Sequence, residues 1–123
     1  MTKFLVIALG GAIGSVVRFF FSERMNAMNM GNFPYAIMVV NITGCFMMGL
    51  AAGIFAKYNL PYEWKVFVTV GIMGGYTTFS AFSLDAMMLL EKGEFLNAAL
   101  YICGSVFLSL LGFAIGNNIL RFV

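Results

Sequence analysis

Gly71-Ile72-Met73-Gly74-Gly75-Tyr76-Thr77-Thr78-Phe79-Ser80-Ala81-Phe82-Ser83 is the stretch on which the reading of this chain turns. It lies inside an apolar run from Val66 to Leu90, and the midpoint of that run is Thr78. The run is long enough to cross a bilayer, which takes about 20 apolar residues in a helix. Yet paired glycines, paired threonines and two serines continue a helix poorly. The expectation is a spanning helix that breaks near the membrane midplane and then resumes. In lipid, freed backbone groups are tolerated only where protein or a water-filled cavity satisfies them. Carbonyls and hydroxyls at such a break can hold a cation, and its amides can face an anion. The plainer reading is a kink used only for packing.

Working outward, three more apolar runs appear: Phe4 to Phe21, Tyr35 to Ala56, and Phe95 to Leu120. Between the first two lies a polar loop containing Ser22, Glu23, Arg24, Asn26, Asn29, Gly31 and Asn32, and Pro34 suits the start of the second helix. Lys57, Tyr58, Asn59 and Pro61 make a turn, with Tyr62, Trp64 and Lys65 as interfacial anchors. Glu91, Lys92, Gly93 and Glu94 make the next. The Met1-Thr2-Lys3 start resembles a secretory leader, but without an A-x-A pattern the first run reads as a retained helix. The fold class is therefore an all-α integral membrane protein, a single four-helix domain over residues 1–123.

Composition agrees. Of the 123 residues, 62% are hydrophobic and 10% charged, with a mean hydropathy of +0.96. A soluble domain carries about a quarter charged residues. This excludes a soluble catalytic domain and a DNA-binding module, and the lack of a basic run argues against nucleic acid as a partner. No histidine is present, which excludes histidine triads and His-ligated zinc. Cys45 and Cys103 lie within apolar runs and read as small buried hydrophobes.

With four spans, both termini share a side with Lys3, Lys57, Lys65 and Arg121, while Arg18, Arg24 and Lys92 lie opposite. Orientation follows Lys/Arg asymmetry, and this near balance favours insertion both ways round. That permits an antiparallel homodimer whose axis lies in the membrane plane, an arrangement that places sites near the midplane. Gly10/Gly14, Gly49/Gly53, Gly71/Gly75 and Gly112/Gly116 are each four apart, as close helix packing requires.

Few residues within the spans carry chemistry. Phe79 and Phe82 share a face if helix resumes after the break, and the electropositive ring edge can meet a small anion without trapping it. Asn41 can donate two hydrogen bonds. Tyr101, Ser105 and Ser109 form one stripe, either a polar track or hydroxyls bonded within the bundle. Asp85 is an intramembrane carboxylate, either functional or paired with Arg18 or Arg24.

Together these residues resemble the Fluc family of fluoride channels, also called CrcB. The likeness rests on Gly10-Gly11-Ala12-Ile13-Gly14 with Arg18, on Asn41-Ile42-Thr43-Gly44 with Gly49, on the 71–83 stretch above all, and on Gly104-Ser105 with Gly112. It covers nearly the whole chain. The resemblance implies a dual-topology antiparallel homodimer in the cell inner membrane, with two pores that export fluoride passively. It implies a structural Na⁺ at the dimer centre, held by backbone carbonyls of Gly74 and Thr77. It also implies that the ring edges of Phe79 and Phe82 contact fluoride, that Asn41 lies along the pore, that Tyr101, Ser105 and Ser109 form a hydroxyl track, and that Arg18 borders a vestibule. Ala81 stands where Thr or Ser is more usual, Ala36-Ile37-Met38 replaces Gly-Thr-Leu, and Asp85 stands where Glu is commoner. The competing reading is a small dual-topology exporter of lipophilic cations, coupled to protons through Asp85.

Overall fold

The computed structural model describes every residue except Asn29 and Met30. Among the described residues, four stretches are long and apolar enough to cross a membrane: Thr2–Ala27, Tyr35–Lys57, Tyr62–Glu91 and Phe95–Ile119. The first, second and fourth are single helices, α1, α2 and α6. The third is divided into α3 (Tyr62–Val66), a π-helical segment (Phe67–Met73), α4 (Gly74–Tyr76) and α5 (Phe79–Glu91).

Two boundaries differ from the expectation. The first helix does not stop at Phe21 but carries Ser22, Glu23, Arg24 and Asn26 as helix to Ala27. Glu, Arg, Met and Ala all favour helix, and no glycine or proline interrupts them. Asn29, placed in the same loop, lies outside the described residues. The third span begins earlier, at Tyr62, directly after Pro61. Proline presets the chain for helix entry and loses no hydrogen bond there. The turn after α5 closes on Gly93, whose φ of +75° glycine adopts freely.

The helices pack as two close pairs. On one side α1 lies against the π-helical segment and α4; on the other, α2 lies along α6. Glycines set both contacts. A Cβ at Gly10 would stand 2.6 Å from the Phe67 carbonyl, and one at Gly75 2.6 Å from the Gly11 carbonyl. Gly49 and Gly116 likewise face the backbones of Phe113 and Phe46. Small residues let backbones touch in a medium that provides little hydrophobic drive between helices.

Much apolar surface faces outward, including Phe4, Leu9, Val16, Leu96, Phe107 and Leu110. The chain is thus a multi-pass membrane protein. Among the described residues, the buried side chains of Phe82, Ala86, Leu89, Ala98 and Tyr101 form a cluster where α5 meets α6, and Ala36, Val40, Ala51 and Val66 are buried outside it. Cys45 is half-buried and Cys103 exposed, both as free thiols, so burial of Cys103 is not observed in the single chain.

Candidate functional site

The break in the third span is narrower than the sequence implied. Gly74 and Gly75 stay helical, Phe79 to Ser83 are already helix again, and only Thr77 and Thr78 are extended. Thr77 has ψ 155° and Thr78 has φ −150°, ψ 120°. β-Branched residues suit extended backbone. Thr78 then caps α5: its Oγ1 accepts from the Ala81 amide at 3.2 Å and shares a hydrogen bond with Ser80 Oγ at 3.1 Å.

Asn41 holds the break open from α2. Its Nδ2 donates to the Thr78 carbonyl at 3.0 Å, and its Oδ1 accepts from the Thr78 amide at 2.8 Å. One amide side chain thereby replaces the backbone partners that Thr78 loses at the break. Asn41 also retains a second Nδ2 hydrogen, so the expectation of two donors along an ion path becomes one. Beside it, Gly44 lies so close to Thr77 and Tyr76 that no side chain fits there.

The same diversion frees backbone oxygens. In a continuous helix the Thr78 amide would bond to the Gly74 carbonyl and the Ala81 amide to the Thr77 carbonyl. Here they go to Asn41 and to the Thr78 hydroxyl. Gly74 is exposed and Thr77 half-buried. Carbonyl oxygens released in this way are the donor type that hard cations take.

On one side of the break opens a pocket of about 290 Å³, lined by Asn41, Cys45, Phe79, Phe82, Ser105 and Ser109 among others. Five of the six residues that the resemblance assigned to the ion path, all but Tyr101, therefore meet in one place. Thr77 and Thr78 form its wall. Ser105 is only 3% exposed, and its Oγ has no partner among the described residues. A buried unpaired hydroxyl is costly and free to donate to something small. Cys45 was not anticipated, although it lies four residues after Asn41 on the same helix face.

Phe79 and Phe82 do share a face, with ring centroids 5.4 Å apart. Their surroundings differ: Phe82 is 8% exposed and Phe79 78% exposed. Tyr101 is separate from this pocket. It is fully buried, stacks on Phe82 at 5.2 Å, and donates from its hydroxyl to Asp85 Oδ2 at 3.2 Å. The stripe of Tyr101, Ser105 and Ser109 is thus divided, with two hydroxyls at the pocket and one turned to the carboxylate. Asp85 takes its hydrogen bond from Tyr101 rather than an ion pair from Arg18 or Arg24.

Arg18 lies across the break, in a second pocket of about 470 Å³ with Ser22, Thr78, Ser80 and Leu84. Ser22 Oγ is buried there without a partner among the described residues. Thr78 borders both pockets. A cation and several hydroxyls thus stand on one side of Thr78, and hydroxyls, an amide and two aromatic rings on the other. Among the described residues, no cluster of acidic, cysteine or histidine side chains is placed to hold a metal ion.

Comparison with known proteins agrees in kind. The family model described as CrcB-like protein, Camphor Resistance (CrcB), matches residues 5–117. A protein of Nitrobacter winogradskyi named fluoride-specific ion channel FluC is 42% identical over 123 residues, covering 99% of this chain and 98% of its own. Fluoride-specific ion channel FluC 1 of Nitrobacter hamburgensis is 43% identical over 121 residues, covering 98% of this chain and 96% of its own. A relative from Rhizobium etli with the FluC name is 41% identical over 122 residues, covering 98% of each.

Proposed function

Because the chain belongs to the CrcB-like family of membrane channels, and so to a transporter rather than an enzyme family, we propose that it is a fluoride-selective passive channel. It would release F⁻ across the cytoplasmic membrane and protect the cell from fluoride that enters as neutral acid. The observation that carries this reading is the pocket where Asn41, Phe79, Phe82, Ser105 and Ser109 converge beside the break.

Fluoride is small and strongly hydrated, so a pore must replace its water at close range. Ser105 offers a buried hydroxyl with no competing partner. Ser109, the spare hydrogen of Asn41 and the ring edges of Phe79 and Phe82 extend the set. Each donor is neutral and weak enough for release, as conduction requires. Arg18 stands near one approach and draws anions toward it without touching the aromatic pair.

The working unit in this proposal is an antiparallel homodimer with two pores, supported by the balanced basic residues and by Phe79, which is 78% exposed. A second copy would cover it. A structural Na⁺ at the centre of that dimer would be held by the freed carbonyls of Gly74 and Thr77 from both chains. It would supply fixed positive potential near the anion path.

Liposomes containing the purified chain test the proposal, read with a fluoride electrode and a valinomycin K⁺ shunt, with chloride in parallel. The expected result is fast fluoride release without chloride release, lost in Phe79→Ile. Absence of fluoride release from intact dimers would overturn it. Asp85→Asn separates the channel from proton-coupled exchange: it should alter the fluoride rate, whereas an exporter would lose transport altogether.

A further inference from the structure

An aromatic column runs from the connection before α2 into the pocket. Phe33, half-buried in that connection, meets Tyr101 edge-on at 5.8 Å with an interplanar angle of 82°. Tyr101 stacks on Phe82 at 5.2 Å and 27°, and Phe82 meets Phe79 at 5.4 Å. Phe33 also packs on Tyr35 at 4.6 Å and against the buried cluster that holds Phe82 and Tyr101.

Ring orientation matters here because a phenyl group attracts an anion with its edge and repels it with its face. A phenylalanine near the ion path serves only if its plane is held. Phe82 has no polar handle of its own. Its plane is set by the Tyr101 ring stacked against it. Tyr101 in turn is held at two points, by its hydroxyl on Asp85 and by its near-perpendicular contact with Phe33. Asp85 holds the far tip of that ring, while Phe33 holds its plane.

We propose that Phe33 is a positioning residue for anion passage, acting through Tyr101 to set the plane of Phe82. It makes part of the connection between α1 and α2 a determinant of conduction, although Phe33 does not line the pocket. This rests on the channel reading above.

The test uses the full chain as purified dimers in liposomes. Phe33→Met keeps apolar volume but removes the ring, and Phe33→Tyr keeps the ring. The expected result is a fall of about three- to tenfold in fluoride flux for Phe33→Met, the scale on which an aromatic pair biases geometry. Phe33→Tyr should restore the flux. In a Phe82→Leu background, Phe33→Met should cause no further loss. An equal loss in both backgrounds would show a role in stability alone and overturn the proposal, as would unchanged flux in Phe33→Met. A second readout does not depend on transport: the ring-flip rate of isotopically labelled Phe82, measured by NMR in detergent micelles. It should rise severalfold in Phe33→Met, and an unchanged rate overturns the proposal. If the unaltered chain fails to pass fluoride, the channel reading falls first, and the ring-flip measurement still decides the positioning claim.

Discussion

Asn41 is the residue on which the break depends. Its amide makes two hydrogen bonds to the backbone of one threonine on another helix. Asn41→Leu would leave the Thr78 amide and carbonyl unpaired, at about 1–3 kcal/mol for each buried group. The expected outcome is a lower thermal midpoint in detergent together with loss of flux. This task was not legible in the sequence. An asparagine in an apolar helix announces a polar function, but its partner lies 37 residues away, and no local pattern encodes that distance. Phe33 was hidden for the same reason. Ser105 and Ser109 were visible because their spacing alone puts them on one face.

The elements show the opposite balance. Helix positions and the glycine seams follow from hydropathy and from spacings of four, which are local properties of the chain. Gly49→Ala would drive a methyl group onto the Phe113 backbone, and overpacking of this kind costs about 1–3 kcal/mol. Gly104→Ala meets only the terminal methyl of Met38, at 3.1 Å, and a methionine yields easily. Thermal unfolding should therefore separate the two variants, with Gly104→Ala near the unaltered chain. The π-helical winding of Phe67–Met73 had no counterpart in the sequence reading. π turns are rare and often lie at functional sites. This one spans the stretch where α1 makes its closest approach, with Gly71 against Gly10. Its residues Val70, Gly71 and Ile72 look ordinary for a membrane helix, so only tertiary contact distinguishes it.

At the scale of the whole molecule, the proposed dimer makes two predictions. With Cys45 and Cys103 replaced by serine, Glu91→Cys labelled from each side of the membrane should react from both, in about equal parts, since the basic residues scarcely favour either orientation. Labelling from one side only would exclude the antiparallel dimer. If Na⁺ binds the freed carbonyls, the dimer should be stabilised as Na⁺ rises, by about 2.7 kcal/mol at a hundred times its dissociation constant. Replacing Na⁺ with N-methylglucamine should remove that gain, and a midpoint insensitive to Na⁺ would count against the site.

The dependence of Thr78 on Asn41 also bears on biosynthesis. Both partners of the Thr78 backbone come from a span that enters the bilayer earlier in synthesis, and neither bond exists until the two spans have met. A lone third span in lipid has no substitute for them, so its lowest-energy state there is an unbroken helix. The open conformation is then acquired after insertion, as a step of maturation driven by the docking of α2. The isolated peptide of residues 62–91 in bilayers should accordingly show helical amide shifts through Thr77 and Thr78 in solid-state NMR, and extended shifts there would show that the break needs no help from Asn41.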